Sequence, residues 1–321
     1  MPHVLVAGRL HPSGMDLLSA AKGFTHDYVE EVSEASYAPL IGRADALVIR
    51  TQPLSAPTVA QAGRLRIVSR HGVGYDAVDL AALDARRIAL AIVGDVNSVA
   101  VAEHAMMLLL AAAKRAIIAD RAVRSPAGWG WRDRLEAREI SGKRLLIIGY
   151  GRIGRHLARM AAGFGMTIEA FDPWLLRAGW PDGPVAPATD LMAALARADA
   201  VSVNVPRAEK PVLGRAELAV LKRGALLVNT ARGGVVDEQA LAEALATGQV
   251  GAAGLDVFDA EPPPAGHPLL GFPQVVLSPH IAGLNAECAE RMSVMSVQNV
   301  IDFFAGQLDD ALVVNRETLH A

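Results

Sequence analysis

Short runs of consecutive apolar residues alternate along the chain with longer segments in which apolar and polar residues mix at helical spacing. This alternation is typical of βαβ units, whose parallel strands are buried within a sheet. A helical pattern around Asp76–Arg87 lies within the first such series. The strands predicted in that series are Val4–Ala7, Ala46–Ile49, Arg66–Ser69 and Ile88–Val93. The first third of the chain therefore predicts a small doubly wound domain.

A second series of apolar runs starts near residue 145 and predicts a larger sheet. Its strands are Leu145–Ile148, Thr167–Phe171, Ala200–Val205, Leu226–Asn229, Ala252–Val257 and Val275–Ser278. Six parallel strands with crossover helices make a full dinucleotide-binding fold. The predicted fold class is thus α/β, with two doubly wound parallel-sheet domains, the second of the Rossmann type.

The remaining segments set the predicted domain boundaries. A long apolar helix is predicted over Val99–Arg115, an amphipathic helix over Leu284–Gln307 and a short strand over Leu312–Val314. Because a terminal strand needs a sheet to join, we place it on the first domain. The predicted domains are residues 1–98 with 285–321 and residues 99–284, the second of which carries the dinucleotide-binding fold.

Composition narrows the classes of protein that fit. With 52% hydrophobic and 20% charged residues, the chain can bury a large core. A net charge of −3 without a basic stripe argues against a nucleic-acid partner. The single cysteine, Cys288, fits a reducing, cytoplasmic location, and neither a cysteine-based zinc site nor another metal is expected. The N-terminus has no signal-peptide pattern, and the most apolar stretch, Ala105–Ala113, is far short of the roughly 20 residues that a bilayer requires, so no membrane partner is expected.

A glycine-rich segment directly follows the strand Leu145–Ile148 and opens a predicted helix over Arg152–Gly163. It reads Gly149-Tyr150-Gly151-Arg152-Ile153-Gly154 and matches G-x-G-x-x-G, the fingerprint of a dinucleotide pyrophosphate site at a helix N-terminus. The alternative is a glycine turn without a ligand.

An acidic residue, Asp172, ends the next predicted strand, 18 residues after Gly154. In this fold such a carboxylate hydrogen-bonds the adenosine ribose and repels a 2′-phosphate, which favours NAD over NADP. Arg155 or Arg177, if close by, would weaken that preference. Alternatively, Asp172 merely starts the turn before Pro173.

Three residues follow strands of the second sheet and match the needs of hydride transfer to a carbonyl. These are Arg232, Glu261 and His280. His280 is a natural proton donor near pH 7, and a neighbouring Glu261 favours the protonated ring. Two N–H groups of the Arg232 guanidinium can pair with both oxygens of a substrate carboxylate. Singly, each has an ordinary interpretation as a surface arginine, a solvated carboxylate or a satisfied histidine. Together at one sheet edge, they predict a catalytic site.

These motifs resemble the D-isomer-specific 2-hydroxyacid dehydrogenase family, which includes phosphoglycerate dehydrogenases and glyoxylate/hydroxypyruvate reductases. The resemblance covers nearly the whole chain, and the spacings of 29 residues from Arg232 to Glu261 and 19 from Glu261 to His280 fit it. The segments that carry the resemblance are residues 45–50, 70–76 and 99–104, the glycine motif, residues 229–234 and 254–258, Glu261-Pro262 and residues 280–283.

The resemblance implies an enzyme that interconverts a small D-2-hydroxy acid and its 2-keto acid with NAD. It implies a flavodoxin-like substrate domain and a homodimer formed through the helix near Val99–Arg115. His280 would be the acid–base group, Glu261 its partner and Arg232 the contact to the substrate carboxylate and carbonyl. Asp256 would bind the nicotinamide carboxamide, and backbone N–H groups of Gly72, Val73 and Gly74 would contact the carboxylate. Further cofactor contacts are predicted from Arg152, Ile153, Pro206, Thr230 and Ala231.

The chain departs from the family pattern at two places. Asn204-Val205-Pro206-Arg207-Ala208 stands where the family often has His-x-Pro-Leu-Thr, and His71 replaces a commoner small residue. Arg50 and Arg70, at strand ends of the first domain, would hold an anionic or polar 3-substituent such as phosphate, sulfonate, carboxylate or hydroxyl, with His71 adding positive charge. Alternatively, both arginines are structural and pair with Asp76 or Glu103.

Two other functions stay open on the sequence alone. Proteins of this fold also serve as NAD(H)-sensing corepressors or scaffolds, and the same scaffold supports formate or phosphite oxidation. The complete set of Arg232, Glu261 and His280 favours a 2-hydroxyacid dehydrogenase, although fold and motif do not prove turnover.

Overall fold

Two α/β units make up the computed structural model, which describes residues 1–320. The first unit comprises Met1–Asn97 together with the chain from Leu284 onward, and the second comprises Ser98–Gly283. These boundaries lie one residue from those that the sequence predicts.

The first unit contains a five-stranded parallel sheet in the order β2-β1-β3-β4-β5. Its strands are β1 (His3–Ala7), β2 (Thr25–Val29), β3 (Ala46–Ile49), β4 (Ile67–Arg70) and β5 (Ala89–Ala91). This is the flavodoxin-like order, so the predicted fold of the first domain is confirmed.

Strand β2 was not predicted from the sequence. It lies at the sheet edge and pairs with β1 from His3–Thr25 to Ala7–Val29. None of its residues is buried, and its sequence Thr-His-Asp-Tyr-Val is mostly polar. An edge strand of this kind lacks the apolar run by which the central strands were recognised.

The helices of the first unit that precede residue 97 are short. They are α1 (Pro12–Ala20), α2 (Glu34–Tyr37), α3 (Ala56–Gln61) and α4 (Leu80–Ala85). Asp79 caps α4 by accepting a hydrogen bond from the Ala82 N–H, so the helical pattern expected around 76–87 becomes regular only after this residue.

The second unit begins with two consecutive helices and continues as alternating strands and helices. Its helices are α5 (Ser98–Lys114), α6 (Ala116–Val123), α7 (Arg152–Gly163), α8 (Pro173–Ala178), α9 (Leu191–Arg197), α10 (Arg215–Val220) and α11 (Glu238–Ala246). Its strands are β6 (Arg144–Ile148), β7 (Thr167–Phe171), β8 (Ala186–Pro187), β9 (Ala200–Val203), β10 (Ala225–Asn229), β11 (Val250–Leu255) and β12 (Val275–Leu277).

These strands form a parallel sheet in the order β12-β11-β10-β9-β6-β7-β8. The predicted Rossmann sheet is therefore confirmed, with the two-residue strand β8 added at its edge. The strand order reverses between β6 and β9, and in open α/β sheets ligands bind beyond the carboxyl ends of the strands at such a point.

Both sheets are buried on both faces. Along β6, Leu146 and Ile148 belong to one core cluster, whereas Leu145 and Ile147 belong to another. Successive side chains of a strand point to opposite faces, so these two clusters are the two faces of the seven-stranded sheet. The residues of β1 alternate in the same way in the first unit.

The C-terminal part returns to the first unit as α12 (Ala286–Ala305) and α13 (Arg316–His320). The predicted strand Leu312–Val314 is wrong: Asp310–Leu312 is a 3-10 turn, capped by the Asp309 carboxylate at the Ala311 N–H. Only an isolated antiparallel bridge between Val313 and Ala91 remains, so the segment does join the first sheet as placed, but not as a strand.

Among residues 1–320, none of the helices combines the length and the apolar character that a bilayer crossing requires.

Candidate active site

The glycine motif forms the loop between β6 and α7. Gly149 has φ +91°, a conformation that side-chain-bearing residues rarely adopt, and a Cβ there would lie 2.5 Å from the carbonyl oxygen of Asn204. Arg152 and Ile153 begin α7, and Gly154 packs against the carbonyl oxygen of Gly149. A Cβ added to Gly151 would meet no atom within 4 Å. The loop therefore leaves open space directly before the N-terminus of a twelve-residue helix, which fits a pyrophosphate.

Asp172 ties this loop to the next helix. One carboxylate oxygen accepts the Tyr150 N–H over 3.0 Å, and the other accepts the N–H groups of Trp174 and Leu175 over 3.0 and 3.1 Å. Asp172 therefore does start the turn before Pro173, as its ordinary interpretation held. A carboxylate offers about four acceptor positions, so three bonds leave capacity for a ribose hydroxyl.

Arg155, the arginine that would weaken the preference for NAD, is held at the glycine loop. Its Nε donates to the carbonyl oxygen of Tyr150 over 3.2 Å, and its guanidinium lies 5.7 Å from the centre of the Tyr150 ring. The Tyr150 ring also stacks on Trp180, with the ring centroids 5.2 Å apart.

Two buried polar atoms near the same edge have no partner among residues 1–320. They are Oδ1 of Asn204, after β9, and Oγ1 of Thr230, after β10. Ala231 donates its N–H to Asn229 over 3.0 Å, and Pro206 lies exposed in the loop after β9. Unpaired buried polar atoms are rare in folded proteins, and two of them after neighbouring strands at this sheet edge fit a bound dinucleotide.

His280 and Glu261 form a direct pair at the carboxyl edge of this sheet. Nδ1 of His280 lies 2.7 Å from Oε2 of Glu261, and the second carboxylate oxygen accepts the Phe258 N–H over 3.0 Å. The side chains are 51% and 36% exposed, so the pair is open to small molecules. With Nδ1 committed to Glu261, Nε2 is the ring atom that can exchange a proton with a ligand.

Arg232 follows β10 in a loop that its neighbours fix closely. Nδ2 of Asn229 donates to the Arg232 carbonyl oxygen over 2.9 Å, and Nη1 of Arg232 donates to the carbonyl oxygen of Ala231 over 2.6 Å. A Cβ at Gly233 would collide with the carbonyl oxygen of Phe258. The loop that carries Arg232 therefore packs against the loop that leads to Glu261.

Asp256 lies beneath the turn that carries His280, with no exposed surface. Its carboxylate accepts hydrogen bonds from Ser278 Oγ, the Ile281 N–H and the Ala282 N–H over 2.6, 2.9 and 2.9 Å. The resemblance assigned this residue to the nicotinamide carboxamide. In the structure its carboxylate holds the turn of His280, a contact that the sequence did not indicate, and the role toward the carboxamide stays a prediction.

The substrate residues predicted in the first unit share the carboxyl edge of β3 and β4. Arg50 follows β3, Arg70 ends β4, and Ile49 pairs with Arg70 in the sheet. Nη1 of Arg50 donates to the Arg9 carbonyl oxygen over 3.3 Å, and its buried Nε has no hydrogen-bond partner among residues 1–320. Nη1 of Arg70 donates to the His71 carbonyl oxygen over 2.7 Å.

His71 and the three residues after it form the loop beyond β4. His71 is 5% exposed, and burial, followed by the guanidinium groups of Arg50 and Arg70, lowers its pKa to about 4. It is therefore neutral at pH 7 and does not add the positive charge that was expected of it. Gly72 packs against the Arg70 guanidinium, and Val73 and Gly74 are half-buried, so their backbone lies near the surface of this edge.

Comparison with known proteins agrees with this geometry. The model of the D-isomer specific 2-hydroxyacid dehydrogenase NAD-binding domain matches residues 106–282. The chain is 36% identical to a glyoxylate reductase of Korarchaeum cryptofilum, an alignment that covers 99% of this chain and 97% of that protein. It is 37% identical to a D-3-phosphoglycerate dehydrogenase of Mycobacterium bovis over 99% of this chain but only 61% of the longer relative.

A crystal structure of an NADPH-dependent glyoxylate/hydroxypyruvate reductase from Sinorhizobium meliloti superposes with a TM-score of 0.87. It is 28% identical, with 98% of each chain covered. The chain belongs to the D-isomer specific 2-hydroxyacid dehydrogenase family. It is an NAD-dependent oxidoreductase that acts on 2-hydroxy acids. The relatives named above are reductases and dehydrogenases, which gives no support to the corepressor alternative.

Proposed function

We propose that this protein interconverts a small D-2-hydroxy acid and its 2-keto acid, and that the substrate carries a polar or anionic 3-substituent. The observation that carries the proposal is the 2.7 Å pair of His280 and Glu261 on the same sheet edge as the glycine loop. NAD, when bound, supplies or takes the hydride at the substrate carbon.

The side chains at this edge then divide the remaining work. His280 donates a proton from Nε2 to the carbonyl oxygen in reduction and accepts it back in oxidation. Glu261 contacts Nδ1 and fixes the orientation of the ring. Arg232 pairs with the substrate carboxylate and draws electron density from the carbonyl. Gly149, Gly151 and Gly154 hold the pyrophosphate, with Asp172 at the ribose and Arg152, Ile153, Pro206, Thr230 and Ala231 as further contacts.

Arg50 and Arg70 support the choice of substituent. They stand at the ends of paired strands, and the Nε donor of Arg50 lacks a partner in the described chain. Guanidinium groups pair best with phosphate, sulfonate or carboxylate. Backbone N–H groups of Gly72, Val73 and Gly74, with His71 as a neutral neighbour, would complete this contact.

The test is NADH oxidation at 340 nm against glyoxylate, hydroxypyruvate, pyruvate, phosphohydroxypyruvate, sulfopyruvate and oxaloacetate, with NADPH in parallel. We expect turnover with at least one substrate that carries a 3-substituent, and a loss of about 10²–10⁴-fold in His280→Gln. Full activity of His280→Gln in both directions would overturn the assignment of the acid–base group.

A homodimer formed through the segment that begins with α5 is the second part of the proposal. Large apolar side chains are exposed on α5, α6 and the following 3-10 helix, among them Met107, Ile117, Val123 and Trp129. Exposed apolar surface of this extent is typical of protein–protein contacts. Light scattering after size exclusion should give twice the 33.8 kDa chain mass, and Val123→Glu with Trp129→Glu should shift it toward one chain. A cytoplasmic location stays a prediction from the single cysteine.

A further inference from the structure

His104, on α5, reaches the turn that carries His280. Its Nε2 lies 2.8 Å from Oγ of Ser278 and 3.5 Å from Oδ1 of Asp256. The Ser278 hydroxyl donates its hydrogen to Asp256 over 2.6 Å. Its oxygen therefore accepts from His104, which places a hydrogen on Nε2 of the His104 ring.

The turn that this network supports is held from both sides by Asp256. The His280 N–H donates to the Asp256 carbonyl oxygen over 2.8 Å, while the N–H groups of Ile281 and Ala282 donate to its carboxylate. His280 itself has φ +52°, a left-handed conformation that is unfavourable for a non-glycine residue. A backbone in this region persists only where the surrounding contacts determine it.

A fully buried carboxylate also needs compensation. Asp256 has no exposed surface, and removing donors from a buried charge is strongly unfavourable. His104, whose side chain is only 15% exposed, supplies this end of the network with a donor to Ser278 and with a ring nitrogen 3.5 Å from Oδ1.

The position of His104 follows from a close approach of α5 to β11. A Cβ at Gly254 would lie 2.6 Å from Cβ of Leu108, one helical turn after His104. Because β11 has a glycine at this point, the helix packs close enough for an imidazole to reach Ser278 after β12.

We propose that His104 is a positioning residue for hydride transfer. Through Ser278 and Asp256 it holds His280 in the left-handed conformation that directs Nε2 to the substrate carbonyl. The inference rests on the proposed acid–base role of His280.

The experiment compares His104→Leu with His104→Gln, whose amide N–H can stand where Nε2 of the ring stands. We expect His104→Leu to lower kcat for keto-acid reduction about 10–100-fold, because a small displacement of an acid–base group has an effect of that size. KM and the Kd of NADH, measured by fluorescence, should change less than about twofold, and His104→Gln should recover most of kcat. His26→Leu, at an exposed histidine, is the matched control.

A purely structural role would lower the thermal midpoint and leave kcat per folded molecule unchanged, and that result would overturn the proposal. So would equal losses in His104→Leu and His104→Gln. Ser278→Ala provides a second test. If His104 acts through Ser278, the kcat of the double variant His104→Leu/Ser278→Ala should be no lower than that of the slower single variant. Additive losses would contradict the pathway.

A readout without substrate separates this inference from the proposed function. In protein labelled with ¹⁵N-histidine, the His280 ring resonances, assigned by their loss in His280→Gln, should shift in His104→Leu and return in His104→Gln. If no keto acid is turned over, these resonances still show whether His104 determines the position of the His280 ring. Unchanged His280 resonances in His104→Leu would overturn the inference.

Discussion

The carboxyl edges of the two sheets carry opposite arrangements of charge. At the edge of the seven-stranded sheet, Nδ1 of His280 lies 2.7 Å from Oε2 of Glu261, and the buried carboxylate of Asp256 supports the turn that carries His280. At the edge of the five-stranded sheet, Arg50 and Arg70 stand beside His71, whose pKa their guanidinium groups and burial lower to about 4.

This difference separates proton transfer from anion binding. At His280 a carboxylate holds one ring nitrogen and leaves the other for a ligand, whereas burial and two guanidinium groups keep His71 neutral at pH 7. The two parallel sheets have similar architecture but surround their histidines with different groups, a carboxylate at His280 and two guanidinium groups at His71, because the side chains that follow neighbouring strands differ. The predictions below test that contrast, beginning with the largest expected effect.

Replacing Arg232 by lysine should lower kcat/KM for the keto acid by about 10²–10³-fold, because an ammonium cannot pair two-to-two with a carboxylate or polarise the carbonyl from the same position. Steady-state NADH oxidation measures the loss. Arg223→Lys is the control, since Arg223 precedes the same strand β10 at its other end and donates to the carbonyl oxygen of Thr247. Equal activity of the two variants would contradict the role of Arg232.

Glu261→Gln should lower kcat about 10–100-fold, because an amide keeps the shape but not the charge that strengthens the hydrogen bond to Nδ1 of His280. Steady-state NADH oxidation measures the loss. Glu243→Gln, on the surface of α11, should leave kcat unchanged. Wild-type kcat in Glu261→Gln would contradict a role for the charge of Glu261.

Arg50→Ala should reduce kcat/KM for phosphohydroxypyruvate about 10-fold or more relative to pyruvate, since a hydrogen bond to a charged group contributes about 1.5–3 kcal/mol. The measurement is the ratio of the two specificity constants. Arg64→Ala removes an arginine near the opposite end of β3, where it pairs with Asp45, and should leave the ratio unchanged. If the ratio in Arg50→Ala equals that of the wild type, Arg50 does not contribute to recognition of the 3-substituent.

His71 should make the free energy of unfolding depend on pH between about 6.5 and 4. Its pKa is lower in the folded protein, so the unfolded chain binds the proton first as the pH falls, and stability is lost across that window. The loss should reach about 3 kcal/mol at pH 4 and be absent above about pH 7. Urea titrations at several pH values should show that the free energy of unfolding falls less with decreasing pH in His71→Gln than in the wild type or in His26→Gln.

Much of the fold could be read from the chain because parallel strands buried on both faces leave continuous apolar runs. The strands β3, β6 and β10 were predicted to within about a residue for this reason, and α7 was predicted with its observed bounds. The edge strand β2 and the 3-10 turn at Asp310–Leu312 were not, because their conformation depends on a neighbouring strand and on a capping side chain.

The sequence by itself determined the class of chemistry: a glycine loop at a strand end, and an arginine, a glutamate and a histidine after strands of one sheet. Motif spacing carries this information because side chains after parallel strands meet at one edge. Only the tertiary structure decided how His280 is held. The left-handed turn around Asp256, the imidazole of His104 that lies 174 residues before Ser278, and the neutral state of His71 all depend on burial and on contacts between distant residues. Local patterns do not encode such contacts, since packing alone brings these groups within hydrogen-bonding distance.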